Sequence, residues 1–124
     1  MTRLRFSTLT GLMGLVVVAG LIYGDGVMRE RRVRFTECAA IHARTAAKSR
    51  DWAADMDAEV ARMEHHGSEA WARVGVDLAS RVSKFRASER EARNNAAIYE
   101  SKRLKFERAA RYPWLLQPRP SDYR

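Results

Sequence analysis

The apolar positions divide the chain into an apolar N-terminal segment and a long amphipathic remainder. Residues 6–24 carry no formal charge, and a helix needs roughly 20 such residues to cross the hydrocarbon of a bilayer. Arg3 and Arg5 precede this segment, and a juxtamembrane basic cluster follows it, formed by Arg29, Arg31, Arg32 and Arg34. With Tyr23 as an interfacial residue, the pattern predicts an N-terminal tail and transmembrane helix over 1–28.

A cleaved signal peptide is the alternative interpretation, with residues 12–22 as its apolar core. No good Ala-x-Ala site follows, and the basic cluster resembles a stop-transfer signal, so we expect an uncleaved anchor. The larger number of Lys and Arg after the span favours a cytoplasmic location for the C-terminal part. Gly20 and Gly24 have the spacing that lets two spans approach closely, but two incidental glycines are the favoured interpretation, because Gly24 lies at the boundary of the apolar stretch next to Asp25 and Gly26.

Beyond the span, the chain predicts two long helices, over 29–66 and 67–111. Proline is absent until Pro113, and glycine interrupts the helical pattern at Gly67. Glycine is favoured just after a helix, and serine is favoured as an N-cap, so we expect Gly67 to end the first helix and Ser68 to cap the second.

Each predicted helix carries a seam of regularly spaced residues. The first seam follows an unbroken 4-3 spacing: Phe35, Ala39, His42, Ala46, Ser49, Ala53, Met56, Val60 and Met63. The second recurs every seven residues, with flanking partners: Trp71, Leu78, Phe85, Ala92, Tyr99 and Phe106, flanked by Val74, Val82, Ala96 and Ala110. Such seams are typical of packed helices. The predicted fold is all-α, a transmembrane helix continuing into a helical hairpin or coiled coil; one continuous rod is the alternative.

Charge favours the antiparallel hairpin over the rod. Residues 51–64 are acidic, and a chain folded at Gly67 brings them to Arg73, Arg81, Lys84 and Arg86. The basic start of the first helix then meets Glu89, Glu91, Glu100 and Glu107. Exposed ion pairs contribute little stability, but they select orientation.

The aromatic and Pro-rich tail over 112–124 is predicted to return to the membrane, because the two helices have similar lengths. Its docking residues, for a lipid interface or a partner protein, are Tyr112, Trp114, Leu115 and Leu116. The residues that follow, 117–121, have the composition of an extended polyproline linker.

Composition and motifs limit the chemistry. The net charge of +8 favours anionic lipid headgroups as partners, and the basic stretches lack the interleaved aromatics of a single-strand nucleic-acid platform. The sequence contains no Gly-rich phosphate loop, Gly-x-Ser-x-Gly or Cys-x-x-Cys motif. Cys38 and His42 are two ligands at most, too few for a closed zinc site, and Cys38 is better explained as a packing residue. We expect no catalytic residue, cofactor or metal.

Three segments have a distinctive sequence: 5–13 (RFSTLTGLM), 38–42 (CAAIH) and, most specific, 105–115 (KFERAARYPWL), preceded by 96–99 (AAIY). They resemble segments of a group of uncharacterised small membrane proteins of planctomycete-type bacteria. This chain departs from that group where QPRP replaces an acidic Pro-rich tail, and in a middle region that is less dense in Arg and Glu. The resemblance covers about half of the chain, implies the same architecture in a bacterial inner membrane, and carries no known activity.

Taken together, these patterns predict a non-enzymatic single-span membrane anchor or accessory subunit of a larger membrane complex, docking through its hairpin and its YPWLL tail. A self-associating, membrane-anchored coiled-coil scaffold is the alternative. A metal- or haem-linked redox subunit built on Cys38 and His42 is disfavoured.

Overall fold

The chain is an all-α helical hairpin, as predicted. A computed structural model describes residues 2–75, 77–115 and 118–123, with side chains from Gly11 onward. Its elements are α1 (Thr2–His65), α2 (Ser68–Ala72), α3 (Leu78–Arg111) and a short 3-10 helix (Pro120–Tyr123). The described residues contain no strand.

Helix α1 is continuous, with 64 residues and a length of roughly 95 Å. No break separates its apolar N-terminal part from the remainder that packs against α3. At residues 28–29 the composition of the chain therefore changes from apolar to amphipathic, while the helix continues.

The reversal of the chain is more elaborate than predicted. Gly67 has a φ of +74°, as expected of a glycine just after a helix. Ser68, however, is the first residue of α2 and not its cap, because Gly67 occupies the cap position and no side chain caps this helix. The indole Nε1 of Trp71 donates to the Met63 carbonyl oxygen at 3.2 Å, which ties α2 back onto the end of α1.

The single second helix predicted over 67–111 is wrong, because the chain breaks between α2 and α3. Helix α2 ends at Ala72, and Gly75 in the turn that follows adopts a φ of +72°. Asp77 then accepts a hydrogen bond from the backbone N–H of Ala79 at 3.1 Å and caps α3. Val74 lies in this turn and is 74% exposed, so its predicted place on the seam is also wrong.

The first predicted seam is confirmed along its whole length. All nine of its positions are buried or half-buried, and Ala46 and Met63 are almost completely enclosed. On α3 the described seam positions from Leu78 to Phe106 are likewise buried or half-buried. The sevenfold repeat did not include Glu89 and Ala109, which are also buried because the interface of two packed helices is wider than a single stripe.

The charge prediction is partly correct. Arg86 of α3 lies 3.7 Å from carboxylate oxygens of both Asp57 and Glu64, across the hairpin. Glu89, Glu100 and Glu107, by contrast, form ion pairs with arginines of α3 itself, which lie three or four residues away on the same helical face and are held in register by the backbone. The pKa of Glu100 is lowered mainly by a hydrogen bond from Arg103, with a smaller contribution from Arg50 of α1.

Candidate functional site

The antiparallel packing brings together parts of the chain that are far apart in sequence. The rings of Phe35 and Phe106 lie 6.2 Å apart, and those of His42 and Tyr99 lie 5.8 Å apart. Continuing this register, the residues after α3 reach the end of the apolar segment of α1. We call this region, residues 20–42 of α1 with 99–115 and 118–123, the base of the hairpin.

The apolar segment that leads into the base buries none of its large side chains among the described residues. Its large side chains between Leu12 and Tyr23 are all at least 55% exposed. By length and composition, this part of α1 is able to cross a membrane, and none of its apolar window is buried within the protein. An exposed apolar surface of this extent is uncommon in isolated soluble chains.

The aromatic tail projects from the base beside this segment. Trp114 is 60% exposed and Leu115 is 70% exposed, whereas Pro113 between Trp114 and Tyr112 is fully buried. The rings of Tyr112 and Trp114 meet edge to face at 6.1 Å, and the Leu115 N–H donates to the Tyr112 carbonyl oxygen at 3.1 Å. This turn presents Trp114 and Leu115 outward while Pro113 anchors it. Leu116 was predicted as a further docking residue and lies outside the described residues.

The juxtamembrane basic cluster lies on α1 at the same level. Arg29 approaches Asp25 at 3.5 Å and Arg34 pairs with Glu30 at 2.9 Å, each across one helical turn and well exposed. Arg31 and Arg32 have no ion pair within the described part of the chain. The cluster therefore keeps a net positive charge beside the exposed aromatic tail.

The five predicted seam residues of the second helix divide between the two ends of the hairpin. Trp71 and Leu78 flank the turn, Phe85 lies between the ends, and Tyr99 and Phe106 belong to the base. Phe106 has no exposed surface and forms the centre of a cluster with Phe35, Ala39 and Ala109, against which Cys38 packs. Cys38 is thus a packing residue, as expected.

The tail after the aromatic turn departs from the extended linker predicted for residues 117–121, of which residue 117 lies outside the described residues. Residues 120–123 form a 3-10 helix that folds back onto the hairpin, and Tyr123 meets the edge of the Phe106 ring at 5.0 Å. The linker prediction is wrong because an aromatic residue and an aspartate that follow the prolines make tertiary contacts. Pro120 at the first helical position was the available signal, since proline favours the first turn of a helix.

Asp122 is the residue that holds this tail, and the sequence analysis did not single it out. Its side chain accepts hydrogen bonds from the Lys105 ammonium at 3.1 Å and from the Arg119 N–H at 3.0 Å. Its backbone carbonyl oxygen lies 3.1 Å from Nε2 of His42, which is buried in α1. We call this arrangement of His42, Lys105 and Asp122 the tail clasp.

The tail clasp also accounts for His42. The imidazole stacks on Phe106 at 5.3 Å, and because Nε2 contacts a carbonyl oxygen it is the protonated nitrogen. The other ring nitrogen, Nδ1, is buried without a hydrogen-bond partner among the described residues. No group of three or more metal-ligating side chains occurs in the described part of the chain. The hydrogen bond from Nε2 of His42 connects the tail to α1.

Acid is expected to release the tail through Asp122. The hydrogen bond from Lys105, aided by the Arg119 N–H, holds the pKa of Asp122 below its ordinary value. At any pH above the ordinary pKa of an aspartate, the carboxylate contributes its full stabilisation to the docked tail. This stabilisation is lost as the pH falls through the lower pKa that Asp122 has in the folded protein. An NMR titration of the Tyr123 ring, which is shifted by the Phe106 ring, measures this release in the full-length protein in detergent.

Asp122→Asn is the matched control for this titration. The amide keeps the size of the side chain but cannot titrate, so the acid step in the Tyr123 signal should disappear. The same acid step in both proteins contradicts a role of the Asp122 carboxylate.

Comparisons with known proteins provide no relative from which this geometry could be interpreted. No protein family, curated protein or solved structure matches the chain. The resemblance of its two ends to small planctomycete-type membrane proteins stays a prediction.

Proposed function

We propose that the protein is a non-enzymatic, single-span membrane anchor or accessory subunit of a larger membrane complex. The apolar part of α1 holds it in the bilayer, and the hairpin presents a rigid docking surface. The role requires no reaction, cofactor or metal; it requires a defined distance and orientation relative to the membrane.

One observation carries the proposal: the exposed Trp114 and Leu115 lie beside the exposed end of the apolar segment. Pro113 and Trp114 line one open groove together with Gly20, Gly24 and Met28. Tryptophan is favoured where one end of a side chain is apolar and the other meets water, as at a membrane surface or a protein interface. The buried proline and the docked tail thus hold two apolar side chains exposed at the level of the end of the apolar segment.

The proposed location is a bacterial inner membrane, with the hairpin in the cytoplasm. The four arginines of the basic cluster follow the apolar segment directly, and α3 adds Arg108 and Arg111 near the same level. Positive residues next to a span are retained on the cytoplasmic side. The positive base also suits the anionic surface of the inner leaflet.

The double variant Trp114→Ala with Leu115→Ala tests the docking role. Each large apolar side chain contributes roughly 2 kcal/mol when it is buried at an interface, so we expect association to weaken by at least tenfold. Tagged full-length protein is purified in mild detergent, and the yield of a stoichiometric hetero-complex is read by native mass spectrometry. Circular dichroism should show unchanged helicity, because both side chains are exposed in the isolated chain.

Trp52→Ala with Ile98→Ala is the matched control, since both residues are 53% exposed and lie away from the aromatic tail. This pair removes similar apolar surface and should leave the complex intact. Equal yields from wild type and the Trp114/Leu115 variant would contradict docking through the tail. A pure homo-oligomer in the wild type would favour the self-associating scaffold instead.

A further inference from the structure

A groove at the base of the hairpin combines an apolar half with a cationic half. It encloses about 450 Å³ and is open to the surroundings along α1. The apolar half is formed by Gly20, Leu21 and Gly24, within the segment able to cross a membrane. The cationic half is formed by Arg29 and Arg32, which lie about 1.4 and 2.2 turns beyond Gly24 on the same helix.

The apolar half has space for a hydrocarbon chain. A Cβ atom built on Gly20 or Gly24 meets no atom within 4 Å, so the part of the groove beside these two glycines, which we call the channel, is open space. Leu21 beside it is 69% exposed. On the opposite side, Trp114 forms a wall that is continuous with the buried Pro113.

The cationic half carries an unbalanced charge. Asp25 also lines the groove, but its carboxylate lies 3.5 Å from Arg29 and partly neutralises it. Arg32 has no ion pair within the described residues, and its side chain is exposed at the polar end of the groove. A guanidinium binds phosphate oxygens through two parallel hydrogen bonds, a geometry that a point charge does not offer.

The order of these groups along α1 matches the order of groups in a phospholipid. Apolar surface comes first, the boundary residues Gly24 and Asp25 follow, and the free guanidinium of Arg32 lies beyond them, roughly 12 Å further along the helix axis than Gly24. A second helix packed on Gly20 and Gly24 is disfavoured, because Pro113 and Trp114 of the same chain already occupy one side of that face.

We propose that this groove binds one anionic glycerophospholipid of the surrounding bilayer. Its phosphodiester pairs with Arg32, with Arg29 as the second cation, and one acyl chain lies along Gly20, Leu21 and Gly24 against Trp114. This inference rests on the proposed function, since it requires that α1 span a membrane. It adds a stoichiometric lipid site to the general attraction between a basic protein and an anionic surface.

The test uses delipidated full-length protein in detergent, supplied with equal amounts of palmitoyl-oleoyl phosphatidylglycerol and phosphatidylcholine. Native mass spectrometry counts the lipids that remain bound. Wild type should retain one phosphatidylglycerol in preference to phosphatidylcholine. Arg32→Gln should lower this retention about tenfold, and Gly24→Leu should abolish it by filling the channel while leaving the helix intact.

Arg34→Gln is the matched control, because Arg34 belongs to the same basic cluster but pairs with Glu30 and does not line the groove. It should retain the lipid as wild type does. An equal loss in Arg34→Gln and Arg32→Gln would overturn the site in favour of diffuse charge attraction. Equal retention of the two lipids, or displacement of phosphatidylglycerol by millimolar inorganic phosphate, would also overturn it.

A separate measurement distinguishes failure of the lipid site from failure of the proposed function. Alkaline carbonate extraction of native membranes reports whether the wild-type chain is integral to the bilayer. An integral protein without lipid preference overturns the lipid site alone. Release of the chain into the carbonate supernatant overturns the membrane anchor and, with it, the lipid site.

Discussion

Phe106→Ala is expected to lower the free energy of unfolding of the hairpin by about 3–5 kcal/mol, as deletion of a fully buried aromatic ring usually does. Phe106 has no exposed surface, and its ring contacts Phe35, His42 and Tyr123. One truncation therefore weakens the contacts of both helices and of the folded-back tail. Thermal unfolding of the full-length protein in detergent, followed by circular dichroism at 222 nm, measures the effect as a fall in Tm on the order of 15 °C.

Ile98→Ala is the control for the loss of apolar surface on the same helix. Ile98 is 53% exposed, so its truncation should change the free energy of unfolding by no more than about 0.5 kcal/mol. If both variants melt alike, the aromatic cluster is not the centre of the hairpin. The aromatic tail should also lose its fixed position in Phe106→Ala, because Tyr123 loses the ring on which it packs.

Ala46→Leu is expected to destabilise the hairpin by about 1–3 kcal/mol through the opposite effect, an excess of volume. Ala46 lies on the first seam with no exposed surface, where a methyl group sets the distance between α1 and α3. A leucine there forces the helices apart or displaces α3 along its axis. The same thermal unfolding experiment measures the loss, and broadened NMR signals of Tyr99 would report looser packing near the base.

The neighbouring residue provides a matched control for this substitution. Ala47 is exposed on the same helix, so Ala47→Leu adds the same side chain to a position that does not meet α3. We expect its unfolding transition to match that of wild type within about 0.5 kcal/mol. Equal destabilisation by the two variants would indicate that leucine disturbs α1 itself and not the contact between the helices.

These two predictions bear on function because the base of the hairpin is held by packing and not by a covalent link. The aromatic tail reaches its place only if α3 runs antiparallel to α1 in the observed register. Phe106 fixes that register by filling the space between the helices, and Ala46 fixes it by limiting that space. A shifted α3 moves Trp114 along the groove, and docking and lipid binding should then fail together.

Several features of the protein follow from local chemistry, and the sequence was sufficient for them. The uncharged stretch before the basic cluster identifies the segment that is able to cross a membrane, because length and polarity alone set that property. The 4-3 spacing predicts the buried face of α1, since the helical period places those residues on one side. Gly67 marks the end of α1 because few other residues adopt its positive φ.

Other features were decided only by the structure, either because local signals compete or because the residues that meet are far apart in sequence. The break at Gly75 and the cap at Asp77 were not predicted, because a continuous helix through these residues fits the local pattern equally well. Arginines within α3 compete successfully for its glutamates, because helical neighbours are closer than residues across the hairpin. The tail clasp could not be read from Pro118 and Pro120, since it exists only where His42 and Lys105 are brought together. The local spacing of apolar residues determines which face of each helix is buried, whereas the residues that pack against that face depend on packing of the whole chain.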